Sequence, residues 1–91
     1  MKAMNQRAKR IEFKVFAPQA EKVYLCGSFN NWSESSDPMK KDSTGTWKKI
    51  KMLSEGIHEY KYLVDGDWTL DPECHDTTPN EFGTENNVVY L

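Results

Sequence analysis

Cysteine is scarce in this 91-residue chain, which holds Cys26 and Cys74 and no other. Small secreted domains that depend on disulfides usually carry more, so we interpret both residues as thiols in a reducing cytoplasm. Cys74 lies beside His75, with Asp71 and Asp76 nearby, but these residues lack the spacing of a recognised metal site. We therefore expect no metal and no other cofactor.

Long apolar runs and helical periodicity are also missing. No apolar segment approaches the length of a membrane span, and the basic N-terminus lacks the apolar stretch of a secretory signal. We therefore expect no membrane contact. The first ten residues hold four bases and no acids, and their polar composition predicts a flexible tail at residues 1–10 before a single domain at 11–91.

Positive charge is sparse after the tail. Residues 11–91 contain eight bases and fourteen acids, and the only base after Lys51 is Lys61, among nine acids. A nucleic-acid site needs a basic groove, so we expect no nucleic-acid partner. Five lysines are interpreted as solvated strand edges rather than as a basic patch: Lys40, Lys41, Lys48, Lys49 and Lys51.

What the sequence does contain is alternation of apolar and polar residues. Ile11, Phe13 and Val15 alternate with charged residues, and further short β-type runs lie near 22–26, 47–53, 57–64, 68–70 and 88–91. Turn signals and all four prolines fall between these runs. The pattern predicts an all-β antiparallel sandwich.

The run 47–53 has an ambiguous pattern. Strict alternation places Trp47 on the same side as Lys49 and Lys51, and Leu53 falls on that side too. Either a bulge shifts the register, or Trp47 covers the rim of the core. In both cases we interpret Trp47 as structural.

Asp65-Gly66 between two β-rich runs predicts a hairpin with a two-residue type I′ loop. That register turns Tyr60 and Tyr62 inward and leaves Trp68 partly exposed, with the solvent-exposed ammonium of Lys61 diagonal to it. A three-residue loop would reverse the faces and bury Trp68.

Two loops add further candidates for a binding surface. In GSFNNW, residues 27–32, Trp32 has no apolar neighbour after it, so it is a second candidate for an exposed tryptophan. Near the end of the chain, Phe82 is an isolated apolar residue, and Thr84 and Asn86 point the same way in an extended segment. The alternative for this last segment is a polar loop that satisfies its own backbone.

Exposed indoles beside an amine, an amide and a hydroxyl suit a sugar ring. An indole covers the apolar C–H face of a pyranose, while polar side chains bond its hydroxyls. Because water competes for each of those bonds, each contributes only about 0.5–1.5 kcal/mol. We therefore expect a weak site whose affinity comes mainly from the tryptophans.

Four motifs, in this order, carry a resemblance to a known family: GSFNNW at 27–32, EGIHEYKY at 55–62, VDGDW at 64–68 and FGTENN at 82–87. Residues 11–91 resemble carbohydrate-binding module family 48, and within it the glycogen-binding domain of the AMP-activated protein kinase beta subunit. The resemblance implies an immunoglobulin-like sandwich of the early set type, which binds α-1,4-linked glucan (glycogen, starch or maltooligosaccharide).

The resemblance also implies roles for individual residues. It implies ring stacking by two tryptophans and hydrogen bonding by three polar side chains: Trp32, Trp68, Lys61, Thr84 and Asn86. Where the family has a leucine that clips the glucan chain, this sequence has Phe82, whose ring either stacks on sugar or narrows the groove.

The sequence is also compatible with two other function classes. The first is an interaction module, in which the same sandwich docks on a kinase or a glucan-metabolising enzyme and binds sugar weakly or not at all. The second is an enzyme. Asp65, Asp67 and Asp71 could be proposed as glycosidase carboxylates, and Cys26 with a histidine as a nucleophilic pair. We expect no catalysis, because a flat platform on so small a sandwich has little means of excluding water.

Overall fold

The computed structural model describes residues 8–91, which form two antiparallel β-sheets packed face to face. This confirms the predicted all-β sandwich and fits the immunoglobulin-like, early set type. The strands are β1 Lys9–Phe16, β2 Val23–Gly27, β3 Lys40–Lys41, β4 Thr46–Leu53, β5 Ile57–Val64, β6 Asp67–Thr69, β7 Thr77–Pro79 and β8 Glu85–Tyr90. A 3-10 turn at Ser28–Asn30 follows β2.

The two sheets differ in size and role. One has three strands in the order β1-β4-β3, and the other has five, in the order β2-β5-β8-β7 with β6 also paired to β5. Strand β5 is therefore central: β2 runs along one of its edges, while β8 and β6 share the other. In the described part of the chain, no helix has the length and apolarity to cross a membrane.

Strand β1 includes two residues of the segment predicted as a tail. It begins at Lys9, so Lys9 and Arg10 pair with β4. Residues 1–7 of the predicted tail lie outside the described residues.

The β1–β4 pairing resolves the ambiguity around Trp47. It is continuous from Lys9↔Leu53 to Phe16↔Thr46, so the strand needs no bulge. Trp47 is 7% exposed and belongs to the core, where its indole Nε1–H donates to the carbonyl of Ala17 at 2.9 Å. Strict alternation therefore holds along β4.

The same alternation turns two lysines toward the inside of the sandwich. The prediction of solvated strand edges is wrong for Lys49 and Lys51, whose side chains are 31% and 25% exposed. Their ammonium groups lie 3.8 and 3.2 Å from Asp37 Oδ1. Asp37 itself is 5% exposed. The buried carboxylate thus pairs with both inward-facing ammonium groups and balances one of their two charges, while both lysines remain partly exposed to solvent.

The β5–β6 hairpin has the predicted two-residue loop. Asp65 and Gly66 have φ values of 48° and 87°, as a type I′ turn requires, and Leu63 pairs with Trp68. The Asp65 carboxylate accepts hydrogen bonds from the backbone N–H groups of Glu21 and Lys22. These bonds attach the turn to the segment that leads into β2.

The predicted inward face of β5 is confirmed. Tyr60 and Tyr62 are 4% and 0% exposed. The Tyr60 hydroxyl donates to Asp71 Oδ2 at 2.8 Å, and the single hydroxyl hydrogen of Tyr62 is shared between the Lys14 carbonyl at 3.0 Å and Asp71 Oδ2 at 3.2 Å. Burial, assisted by the neighbouring Asp71 carboxylate, raises the pKa of each tyrosine. The outward face of β5 is consequently the one that carries Lys61.

We expect Asp37→Asn to destabilise the fold by about 2–3 kcal/mol at pH 7. This is somewhat below the usual cost of about 3–5 kcal/mol for breaking a buried ion pair, because both lysine side chains remain partly exposed to solvent. Burial alone would raise the pKa of Asp37. Hydrogen bonds from Asn30 and Lys51, with the charges of Lys51 and Lys49, hold that pKa below its usual value. Urea denaturation at several pH values measures the effect.

The sign of the pH dependence follows from the lowered pKa. The contribution of Asp37 is fully present above its unfolded pKa of about 3.9 and is lost as pH falls through its lower folded value. The difference in stability between the unmodified chain and Asp37→Asn should therefore shrink below about pH 4. A difference that stays constant down to pH 2 would contradict the ion-pair assignment.

Candidate functional site

An open depression of about 800 Å³ lies on the outer face of the five-stranded sheet. All six residues singled out from the sequence line it: Trp32, Lys61, Trp68, Phe82, Thr84 and Asn86. Four further residues, which sequence analysis did not identify, complete the lining: Glu34, Glu59, Asn80 and Glu81. The structure thus brings residues from three separate chain segments to one surface.

The segment 27–32 reaches this surface through a tight turn. Gly27 has no space for a side chain, because a Cβ there would lie 2.5 Å from the Glu59 carbonyl oxygen and 2.6 Å from the Phe29 ring. The Phe29 ring in turn packs against Phe13 in the core, with ring centroids 5.9 Å apart. The turn is therefore anchored inward by Phe29, which leaves the following residues on the outside.

Asn30 holds the turn in place through its side-chain amide. Its Oδ1 accepts from the Gly27 N–H at 3.0 Å, and its Nδ2 donates to Asp37 Oδ2 at 2.7 Å and to the Leu25 carbonyl at 3.0 Å. The carboxylate that pairs with the inward lysines thus also helps to fix the turn that carries Trp32.

Trp32 leaves the turn in an unusual backbone conformation. Asn31 and Trp32 have φ values of 56° and 57°, in the left-handed region. Such a conformation is tolerated by asparagine but is strained for tryptophan, at a cost of about 1–3 kcal/mol. The Trp32 N–H donates to the Gly27 carbonyl at 2.8 Å, which helps to hold it. The strain is typical of a position where the surroundings fix a functional side chain.

Trp68 projects from the neighbouring β6 strand, close to Trp32. Trp68 is 46% exposed, and its partner Leu63, on the same face, is buried. The centroids of the Trp32 and Trp68 rings are 6.4 Å apart, and their planes meet at 70°. The two indoles therefore form a corner with two apolar walls.

Lys61 differs from its predicted environment. It was expected to be solvent-exposed, but it is 8% exposed. It lies in the middle of β5, paired with Cys26, and its Nζ donates to Thr84 Oγ1 at 3.2 Å. Lys61 thus lines the depression as a largely buried side chain whose ammonium group is held by Thr84.

Asn86 and Asn87 have different roles because successive strand residues face opposite ways. Asn86 faces the depression, where its Nδ2 donates to Glu59 Oε1 at 3.0 Å. Asn87 is fully buried, and its Oδ1 accepts from the Asp71 N–H at 2.7 Å. Asn86 is only 7% exposed but lines the depression, whereas Asn87 does not.

Asn80 is the main residue that sequence analysis missed. Its side chain bonds both Thr84 and Asn86. The local signal was present, because Pro-Asn followed by a glycine three residues later favours a turn in which asparagine bonds its own backbone. Its proximity to Asn86 depends on the fold of that turn.

The charges around the depression are mainly negative. Carboxylates of Glu34, Glu59 and Glu81 line it together with the single ammonium of Lys61. Such a surface offers hydrogen bonds in both directions but disfavours an anionic ligand. A neutral, hydroxyl-rich molecule with an apolar face matches the arrangement.

Cys26 lies on the same outer face but is unsuited to nucleophilic chemistry. It is fully buried. Burial, with smaller effects from the charges of Glu34 and Asp37, raises the pKa of its thiol to about 11. The reactive form is the thiolate, so this thiol is inert near neutral pH. In residues 8–91, no group of three or more His, Cys, Asp or Glu side chains is placed to hold a metal ion.

Comparisons with a family model and with individual proteins point to the same family. Residues 10–91 match a family model described as the glycogen recognition site of AMP-activated protein kinase. The 5'-AMP-activated protein kinase subunit beta-1 of Sus scrofa is 45% identical over 71 residues, which cover 78% of this chain and 55% of the pig sequence. The beta-1 subunit of Bos taurus is 45% identical, and the beta-2 subunit of Mus musculus is 38% identical. Each alignment covers 78% of this chain and 25% of the relative. The chain thus spans about half, or a quarter, of the relatives it matches.

We expect Gly27→Ala to destabilise the fold by about 1–3 kcal/mol and to displace Trp32, because the new methyl group would overlap the Glu59 carbonyl and the Phe29 ring. Urea denaturation measures the first effect, and a shift of the Trp32 indole N–H resonance measures the second. Ser35→Ala, at an exposed position in the following segment, is the control. Unchanged stability and an unmoved resonance would contradict the close packing described around Gly27.

Proposed function

The chain belongs to the family of the glycogen recognition site of AMP-activated protein kinase, and on this premise we propose that it is a carbohydrate-binding module. The proposed ligand is an α-1,4-linked glucan such as glycogen, starch or a maltooligosaccharide. We further propose that the chain binds this ligand without catalysing a reaction on it. The observation that carries the proposal is the corner formed by Trp32 and Trp68 above a floor of hydrogen-bonding side chains.

The geometry of the corner supports a curved glucan. Successive rings of an α-1,4-linked chain turn relative to one another, so their apolar faces do not lie in one plane. Two indole planes that meet at 70° can each cover the face of a different ring. Burial of apolar area on the indoles supplies most of the affinity.

Polar side chains in the floor then fix the orientation of the sugar. Lys61 and Thr84 lie within hydrogen-bond distance of each other, and Asn86 lies across Asn80 from Thr84. Their remaining donors and acceptors face the depression, where sugar hydroxyls would lie. Because each such bond replaces one with water, the complex is weak, with a dissociation constant on the order of micromolar to millimolar.

Phe82 completes the proposed site from the last loop. Its side chain is 82% exposed, although it lines the depression. An aromatic ring with so much free surface gains by covering a sugar face. We propose that Phe82 closes over the glucan at the position where the family has a leucine.

The lining carboxylates are better explained by binding than by hydrolysis. Glycoside hydrolysis requires a carboxylic acid and a second carboxylate on either side of the scissile bond, in a site that controls water. Here Glu59 already accepts a hydrogen bond from Asn86, and the depression is open. These features support a non-catalytic module.

We also propose that residues 11–91 act as one module within a larger cytoplasmic assembly. The named relatives are subunits of a kinase, and the chain matches part of their length. The same observation supports the second candidate, docking on a kinase or a glucan-metabolising enzyme. Glucan binding by the isolated chain separates the two functions.

We expect the chain to be retarded by glycogen or amylose in an affinity gel, and Trp32→Ala or Trp68→Ala to lose about 1–3 kcal/mol of binding free energy. Titration with maltoheptaose measures the loss. Trp47→Phe, which changes a buried tryptophan elsewhere, should bind normally. If the unmodified chain shows no retardation, the docking function is favoured; if either alanine variant unfolds, that indole is structural.

Lys61→Met tests the floor of the site. Methionine keeps an unbranched apolar stem in the buried position but removes the ammonium that reaches Thr84. We expect thermal stability to be retained and binding to weaken by about 1–3 kcal/mol, because a charged hydrogen-bond donor to the sugar is lost. Affinity within about 0.3 kcal/mol of the unmodified chain would remove Lys61 from the site.

A further inference from the structure

Asn80 uses every hydrogen-bonding group of its side chain within the protein. Its Oδ1 accepts from the backbone N–H groups of Phe82 and Thr84, at 2.9 and 3.2 Å. Its Nδ2 donates to Thr84 Oγ1 at 2.8 Å and to Asn86 Oδ1 at 2.9 Å. A side-chain amide has two donor hydrogens and two acceptor lone pairs. Asn80 therefore lines the depression, but its side chain has no free donor or acceptor for a ligand.

The consequence for Thr84 is a fixed direction of hydrogen bonding. Its Oγ1 accepts from Asn80 at 2.8 Å and from Lys61 Nζ at 3.2 Å. A hydroxyl oxygen has two lone pairs, and both are used by these donors. The hydroxyl hydrogen is left over, so Thr84 faces the depression as a hydrogen-bond donor.

The amide of Asn86 is oriented in the same way. Its Oδ1 accepts from Asn80 at 2.9 Å, and its Nδ2 donates to Glu59 Oε1 at 3.0 Å. A flipped amide would place oxygen against the Glu59 carboxylate and nitrogen against the Asn80 donor, so the two partners exclude that orientation. One N–H and one lone pair of Asn86 remain for a ligand.

We propose that Asn80 is the positioning residue that sets the hydrogen-bond polarity of the carbohydrate site. This inference rests on the proposed function, and it specifies which groups of the sugar the site takes. Thr84 and Lys61 donate to sugar oxygens, while the second oxygen of Glu59 accepts from a sugar hydroxyl. Asn86 offers one bond of each kind. Asn80 acts only through its neighbours.

The variant Asn80→Asp separates an effect on the hydrogen-bond polarity of the site from an effect on the conformation of the loop. Aspartate has the same shape and keeps the acceptor that holds the Phe82 and Thr84 N–H groups, but it has no donor. The Thr84 hydroxyl would then rotate and donate to the introduced carboxylate. The Asn86 amide would lose the donor that orients it. We expect the thermal midpoint to stay within a few degrees and affinity for maltoheptaose to fall about tenfold or more.

A double-mutant cycle with Thr84 distinguishes this role from general damage. Thr84→Val removes the hydroxyl that Asn80 orients, so Asn80→Asp should cost much less in that background than alone. Thr84→Ser keeps the hydroxyl and should keep the full effect of Asn80→Asp. Gln19→Glu, which adds the same charge outside the depression, should bind maltoheptaose normally. Equal costs of Asn80→Asp in all backgrounds would overturn the inference.

Hydrogen exchange in the ligand-free chain tests the assignment independently of sugar. The amides of Phe82 and Thr84 should exchange about tenfold faster or more in Asn80→Ala, and near the unmodified rate in Asn80→Asp, which keeps the acceptor. Unchanged exchange in Asn80→Ala would overturn the positioning role. If the unmodified chain fails to bind maltoheptaose, the proposed function fails. If it binds and Asn80→Asp binds equally, only the present inference fails.

Discussion

The buried carboxylate of Asp37 makes the contacts on which both the packing of β4 and the position of the 27–32 turn depend. On one side it receives the ammonium groups of Lys49 and Lys51, which strict alternation along β4 turns inward. On the other it accepts from Asn30, the residue that holds the 27–32 turn. Compensation of charge inside the sandwich and the position of Trp32 on its surface are therefore coupled through one side chain.

Strand β5 provides the second constraint, because its alternation separates the side chains that face the core from those that line the depression. Tyr60 and Tyr62 face inward and bond Asp71, while Glu59 and Lys61 face outward into the depression. Strands β8 and β6 pair with different halves of the same edge. Asn86, which bonds Glu59, and Trp68, which pairs with Leu63, are thereby brought to the same outer face.

The features that could be predicted from sequence are those set by short-range rules. Alternation gave the sandwich, and Asp65-Gly66 gave a hairpin register that correctly placed Tyr62 and Trp68 on opposite faces. The burial of Lys61 and the inward orientation of the Lys49 side chain were not predicted. Both depend on partners distant in sequence, Thr84 and Asp37, and a lysine taken alone is normally exposed. Asn80 was missed for the same reason, since its contact with Asn86 exists only after the loop has folded.

The burial of Cys26 has a consequence for how the surface responds to oxidants. Cysteines that sense peroxide are accessible and ionised at neutral pH, and Cys26, the strand partner of Lys61, is neither. Sulfenic acid formation and glutathionylation would require the chain to open first. Oxidation of Cys26 is therefore not expected to alter the surface that carries Trp32 and Trp68 while the chain stays folded.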